Sequence, residues 1–235
     1  MQKSSVDEIR ARFDGDVERF ASLETGHAVA MDAMLCLSQI AGAAARTTPA
    51  AKRILDVGCG AGNFTLRLRQ EMAFAHATLL DLSLAMLTRA RERVRAAGIE
   101  AEVHQRDLRE VSFAEASFDV ILAGAVLHHL RGDEEWEAAF RRFHGWLRPG
   151  GSLWVFDMVS HELPAVEALQ RKRYTEYLVE LGGEKRAGQV LAYIEKEDTP
   201  RPLTYQLDLM RRCGFSGVDV LHKNAAFAAF GGVRG

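Results

Sequence analysis

Cysteine is scarce in this chain, and its spacing tells mainly by what it omits. Cys36, Cys59 and Cys213 are odd in number and scattered, with no CxxC pair. That excludes a disulfide framework and a cysteine-ligated zinc site, and makes a reduced, cytoplasmic setting the expectation. Long apolar runs are also missing. No stretch approaches the ~20 residues that span a bilayer, and the opening MQKSSVDEIRARF lacks the apolar core of a secretory signal. Neither sign of charge is in excess, since 30 Lys plus Arg face 32 Asp plus Glu for a net charge of −2. Affinity won by neutralising many phosphates is therefore not expected, which disfavours nucleic acid as a partner. Nothing suggests a membrane either. Repeats are absent, and the one biased tract is the Ala-rich run at 41–45.

What is present reads as a soluble globular chain of 235 residues, 48% hydrophobic and 26% charged. That length suits one α/β domain with an appendage and buries a full core. The most informative stretch is Ile54-Leu55-Asp56-Val57-Gly58-Cys59-Gly60-Ala61-Gly62-Asn63. An apolar run ends in an acid, three glycines alternate, and a helical pattern follows from Phe64. This predicts a buried parallel strand turning sharply into a helix. Glycines there let the backbone pass close to a ligand, and the helix start offers free N–H groups. A dinucleotide fingerprint would need glycine at position 63, where this chain has Asn63. Cys59 reads as a small side chain filling the turn, with a reactive thiol as the other reading.

The neighbours sharpen the reading. Thr78-Leu79-Leu80-Asp81 is a second apolar run ending in an acid, and Asp81 lies 19 residues after Gly62, a spacing that suits a carboxylate on ribose hydroxyls. A third run passes Val103 and reaches Asp107. A fourth is Phe118 to Gly124, followed by Val126-Leu127-His128-His129-Leu130, an amphipathic helix near 133–147, Leu147-Arg148-Pro149-Gly150-Gly151 and a strand from Ser152 to Phe156. GxGxG after an acid, FDVILAGAVLHHL and LRPGG, in this order over roughly residues 50–158, resemble the class I S-adenosylmethionine-dependent methyltransferase family, in its small-molecule branch.

The resemblance implies a Rossmann-like α/β fold. Its seven-stranded sheet is mostly parallel and is completed by an antiparallel strand of a C-terminal hairpin, placed by this reading at the sheet edge. It implies S-adenosyl-L-methionine as cofactor and methyl transfer to a small-molecule acceptor. Gly58, Gly60 and Gly62, after Asp56, would hold the methionine part. Asp81 would take the ribose hydroxyls, Leu82 and Met86 would flank the adenine, and Asp107 and Leu108 would meet its edge. Ala123 ends the fourth strand at the same mouth. His128 and His129 fall where acceptors meet the cofactor in this family, and are the candidates to orient or deprotonate an acceptor. Plain readings stand beside these: a strand-end turn for Asp81 and Asp107, core packing for Met86, capping or packing for the histidines. Methyl transfer needs a general base only if the acceptor must lose a proton. The chain lacks the Asn-Pro-Pro-Tyr of amino-group methyltransferases acting on nucleic acid and glutamine, having Gly124 to Leu127 there. It also lacks the clustered cysteines of radical chemistry. No metal is expected, because Asp119 and Asp157 do not form an oxygen-ligand set.

Four segments are expected: an N-terminal helical cap (1–50), the cofactor-binding core (51–159), a helical lid insertion (160–198), and a C-terminal helix and hairpin (199–235). Within the first, residues 13–30 are expected to close over the cofactor. Helical patterns cover Val6 to Phe20, Ala28 to Ala44 and Leu163 to Leu181, the last followed by a charged stretch to Pro200. On the lid, Arg173, Tyr174 and Tyr177 would share a helix face and reach an anionic substrate; a solvated charged helix is the plainer reading. Pro202 opens a helix to Cys213, Gly214 stops it, and 218–222 and 226–230 read as a hairpin. Three other functions remain open. A carboxy-S-adenosylmethionine synthase-like enzyme would hold an extra carboxylate with Arg19, Arg171, Arg173 or Tyr174. A noncatalytic cofactor-binding protein would keep the site without turnover. A nicotinamide oxidoreductase fits worst, because of Asn63 and the hairpin. Homodimerisation is open.

Overall fold

The computed structural model describes residues 3–15, 17–22 and 28–235. Two short helices, α1 (Val6–Asp14) and α2 (Val17–Ala21), precede α3 (Ala33–Thr47). The core then alternates as β1 (Arg53–Val57), α4 (Asn63–Glu71), β2 (His76–Asp81), α5 (Leu84–Ala96), β3 (Glu100–Gln105) and β4 (Phe118–Gly124). A 3-10 turn at Leu127–His129 leads to α6 (Asp133–Trp146) and β5 (Leu147–Met158). The chain ends with α7 (Pro164–Glu197), α8 (Leu203–Arg212), β6 (Phe215–Asn224) and β7 (Phe227–Arg234).

The seven strands form one sheet in the order β3-β2-β1-β4-β5-β7-β6. β1 to β5 pair in parallel, and β7 runs antiparallel to both neighbours. The Rossmann-like class read from the sequence is the fold observed. One detail differs: the antiparallel strand is not at the edge. β7 inserts between β5 and β6, so the hairpin's first strand becomes the edge. The apolar content of the two strands decides this. Phe227 to Gly232 of β7 are all buried, whereas Val220 of β6 is exposed.

Strand alternation splits the core into two layers. Ile54, Val120 and Leu122 face α3, α4, α5 and α7. Leu55, Val57, Ile121 and Ala123 face α6 and α8. The α6 stripe Trp136, Phe140 and Phe143 recurs at helical spacing and is fully buried, with ring centroids 6.2 and 6.0 Å apart. α7 is longer than the sequence pattern implies. The charged stretch after Leu181 is also helical, after a break at Gly182–Gly183 where Gly183 takes φ 79°. The C-terminal helix has Pro202 at its N-cap, and Gly214 beyond its end adopts φ 101°.

Strand order reverses between β1 and β4, each followed by a loop that leaves in the opposite direction. Such a switch point opens a crevice at the C-terminal strand ends.

Candidate functional site

The turn after β1 forms one wall of that crevice. Gly58, Gly60 and Gly62 have φ of 63°, 50° and 82°, conformations that side chains rarely adopt. They serve different ends. A Cβ on Gly58 would lie 2.6 Å from Val126 Cγ2, so this glycine lets the β1 and β4 loops touch. A Cβ on Gly60 would meet nothing within 4 Å, so the crevice is open there. Asp56 anchors the turn from below: its Oδ2 accepts from Thr65 N and Oγ1 at 3.2 and 2.6 Å. Its Oδ1 is buried without a hydrogen-bond partner, and burial pushes its pKa up to about 7. Arg93 of α5 braces the turn from outside, donating to Ala61 O at 2.6 Å and Asn63 Oδ1 at 2.8 Å.

Asp81 ends β2 beside this turn. One carboxylate oxygen accepts from Gly60 N and the other from Ser83 N, each at 2.9 Å. Burial raises its pKa, against the pull of these N–H groups. Ser83 caps α5 through Met86 N, so Met86 and Asp81 are fixed by one short segment. Met86 is buried and Leu82 half-buried. Asp107 is placed differently. Arg109 holds its carboxylate through Nε and Nη2, the latter at 2.6 Å, and outweighs burial to keep the pKa low. Leu108 and Ala123 belong to the core layer under α6, which leaves their side chains inside the fold.

The opposite wall carries the two histidines. His128 Nδ1 lies 2.5 Å from Asp157 Oδ1 at the end of β5. Asp157 is fully buried and also accepts from the N–H groups of Val126, Leu127 and Met158. It thereby fixes both the loop and the imidazole. Burial would lower the His128 pKa, but Asp157 and Asp198 together lift it to about 9. His129 moves the other way, lowered by burial and by His128. Asp198, at the end of α7, faces both rings: its Oδ1 is 3.3 Å from His129 Nδ1 and 3.9 Å from His128 Nε2. Thr199 locks this junction by donating its N–H to His128 O at 2.8 Å. Asp119 plays no part, since its carboxylate caps β1 by accepting from Lys52 N and Arg53 N.

Sequence reasoning passed over Asp198 and Asp14, and saw Asp157 only as isolated. Asp157 did carry a signal, an apolar run ending in an acid, as at Asp56 and Asp81. Asp198 carried none, because α7 brings it 70 residues back to His128.

The N-terminal segment lies across these strand ends. Ser83 Oγ donates to Asp14 Oδ1 at 2.5 Å, Asn63 Nδ2 donates to Phe20 O at 3.0 Å, and the Phe13 ring packs 6.2 Å from that of His129. The Arg19 side chain and residues 23–27 of the expected cap lie outside the described residues. On α7 the three lid candidates separate. Tyr174 and Tyr177 stack 6.4 Å apart and donate to the carbonyls of Val29 and Ala28. Arg173 points outward and donates to Asn224, and Arg171 lies exposed against Glu195. The expected common face of Arg173, Tyr174 and Tyr177 is thus corrected. Consecutive helix positions lie about 100° apart, so Arg173 turns away from Tyr174.

Residues 54–151 match the model of the methyltransferase domain family. Phosphoethanolamine N-methyltransferase 1 of Arabidopsis thaliana is 30% identical over 132 residues, 56% of this chain and 25% of that protein. The ubiquinone/menaquinone biosynthesis C-methyltransferase UbiE of Roseobacter denitrificans is 32% identical over 121 residues, 50% of this chain and 47% of its own length. The chain thus spans about half or less of the length of these two relatives. An O-methyltransferase family protein from Burkholderia thailandensis superposes with a TM-score of 0.65 at 15% identity, over 95% of this chain and 62% of its own. Human N-acetylserotonin methyltransferase, solved with its methyl donor, gives 0.63 at 14% identity, over 96% and 56%. Family match, strand order and glycine turn agree: residues 54–151 are similar in sequence to a methyltransferase domain, on a sheet that shares the fold of solved methyltransferases.

Proposed function

We propose that this chain transfers a methyl group from S-adenosylmethionine to a small-molecule acceptor held between the glycine turn and His128. The observation that carries the reading is the convergence, at one switch point, of the open Gly60 turn, the Asp81 carboxylate and the Asp157–His128 pair. The residues suit the cofactor. Gly60 leaves room, and Asp56 Oδ1 is a buried acceptor with no hydrogen-bond partner. Asp81 uses two of its roughly four lone-pair sites on backbone N–H groups and retains acceptor capacity for ribose hydroxyls.

When bound, the cofactor supplies a methyl group on a positively charged sulfur, a leaving group already activated. The chain's task is placement and dryness. Asp81 and the glycine turn fix one reactant. His128, whose ring is oriented by Asp157, lines the wall that faces the other. The N-terminal segment and α7 cover the crevice and select the acceptor, with Tyr174 and Tyr177 tying one to the other. The carboxy-S-adenosylmethionine synthase reading finds no support in Arg171 and Arg173, which face outward.

Calorimetric titration tests the proposal at its base. S-adenosylhomocysteine should bind with micromolar or tighter affinity, and NAD far more weakly. Equal affinity for both, or no binding of the homocysteine product, would refute it. Turnover is then sought with tritiated methyl donor and a panel of hydroxyl, amine and thiol acceptors.

A further inference from the structure

The junction between the β4 loop and the end of α7 gathers more ligand chemistry than the placement of an acceptor needs. His128, His129 and Asp198 each offer one donor atom, and these atoms lie within 4.8 Å of one another. Around a four-coordinate ion with bonds of about 2.0–2.1 Å, neighbouring donors stand roughly 3.4 Å apart. The observed His129 Nδ1–Asp198 Oδ1 separation is 3.3 Å and the His128 Nε2–Asp198 Oδ1 separation is 3.9 Å. A small side-chain rotation closes the second.

Three further observations point to a cation. Asp198 Oδ1 is buried and makes no hydrogen bond, although it faces two imidazoles. Leaving such an oxygen dry is costly unless a positive charge, on an ion or on a facing imidazole, completes it. His128 engages Asp157 through Nδ1, which directs Nε2 toward Asp198. A carboxylate on the far nitrogen is the outer-sphere arrangement that orients metal-binding histidines. Lastly, the junction is electrostatically suited to a dication. Among the described residues, neither Asp157 nor Asp198 pairs its carboxylate with a Lys or Arg side chain, and Lys3 donates to the main-chain carbonyl of Asp198 instead.

We propose that His128, His129 and Asp198 form a site for one divalent transition-metal ion of the zinc class, with Asp157 as its outer-sphere carboxylate. Two imidazoles and one carboxylate favour zinc or cobalt over magnesium, which takes oxygen ligands. Three protein ligands leave a fourth position for water or for an oxygen or sulfur of a small molecule. The ion would also clip α7 to the switch-point loop. The site stands independently of methyl transfer, because it can be filled with neither cofactor nor acceptor present.

The test uses the full chain without a histidine tag, treated with chelator and titrated with zinc chloride by calorimetry. One equivalent should bind, and magnesium chloride should give no comparable heat. Asp198→Asn and His129→Gln should each weaken zinc binding at least tenfold, and Asp157→Asn by about 10–100-fold. His76→Ala, at the start of β2 and paired with Glu100, should leave it unchanged. Cobalt(II) in place of zinc should give the strong visible absorption of a four-coordinate ion. If Asp198→Asn does not fold, the cobalt spectrum of the unsubstituted chain decides. Zinc binding no tighter than in Asp198→Asn, binding unaffected by all three substitutions, or a pale six-coordinate cobalt spectrum overturns the proposal. None of these outcomes bears on S-adenosylhomocysteine binding, so the two readings fail separately.

Discussion

The two walls of the crevice are built in opposite ways. The wall after β1 and β2 is local and made of backbone: three left-handed glycines, a carboxylate held by N–H groups, and a capped helix, all between Asp56 and Met86. The wall after β4 is assembled from afar by side chains: His128 from one loop, Asp157 from β5, Asp198 from α7 and Phe13 from the N-terminal segment. Backbone geometry survives most substitutions elsewhere, whereas a side-chain constellation depends on every element that carries it. The first wall suits a group common to a whole family. The second is where, in the proposed reading, a distinct acceptor would be chosen.

The sharpest break in that comparison is Gly60→Val. The substitution adds bulk where the crevice is open, at φ 50°, and should abolish S-adenosylhomocysteine binding in calorimetry, by more than ~100-fold or about 2.7 kcal/mol. The strained backbone should cost about 1–3 kcal/mol of stability in thermal melts. A folded variant that binds normally would remove Gly60 from the site. Asp81→Ala comes next. It would lose hydrogen bonds to a charged acceptor, worth roughly 1.5–3 kcal/mol each, and should weaken the same ligand tenfold or more. Unchanged affinity in a folded protein would mean that Asp81 serves the turn alone.

Asp56 gives a pH-dependent comparison. Its folded pKa, about 7, lies above the ordinary 3.8, so the native state holds this proton more tightly than the unfolded chain does. The resulting stabilisation is complete below pH 3.8 and is lost as pH rises through about 7, at up to roughly 1.4 kcal/mol per pH unit crossed. Asp56→Asn keeps an acceptor for Thr65 and removes the charge. Its stability relative to the unsubstituted chain should therefore climb between pH 4 and 7 and then level off. A flat difference in melting temperature across that range would show that burial does not govern this carboxyl. The smallest effect belongs to the second wall. Tyr177→Phe removes one hydrogen bond, to Ala28 O, worth about 1 kcal/mol. It should raise KM for the acceptor severalfold and leave cofactor affinity unaltered. An equal loss in both would merge the two walls into one unit.

Much of the first wall was legible because its signals are local. Apolar runs ending in acids at Asp56 and Asp81, and glycines at alternate positions, declare a strand, a turn and a helix within 30 residues. The seven-stranded class followed from the family resemblance that these motifs carry. Asp107 shows the limit of such reading: an acid at a strand end looked like Asp81, yet Arg109, two residues on, holds its carboxylate. The lid was harder. Its aromatic residues were visible, but that Tyr174 and Tyr177 bond to the carbonyls of residues 28 and 29 depends on how α7 docks on the core.

By itself the sequence determined the alternation of strand and helix, the glycine turn and the candidate cofactor carboxylate. Each depends on dihedral preference and hydrophobic period within a few residues. Only the tertiary structure decided that β7 enters between β5 and β6, that Asp157 grips His128, and that Asp198 returns to the same junction. The last two join positions 29 and 70 residues apart, and no local preference encodes them. They arise from burying two apolar layers against one sheet, which fixes where each chain end lies and therefore which side chains meet.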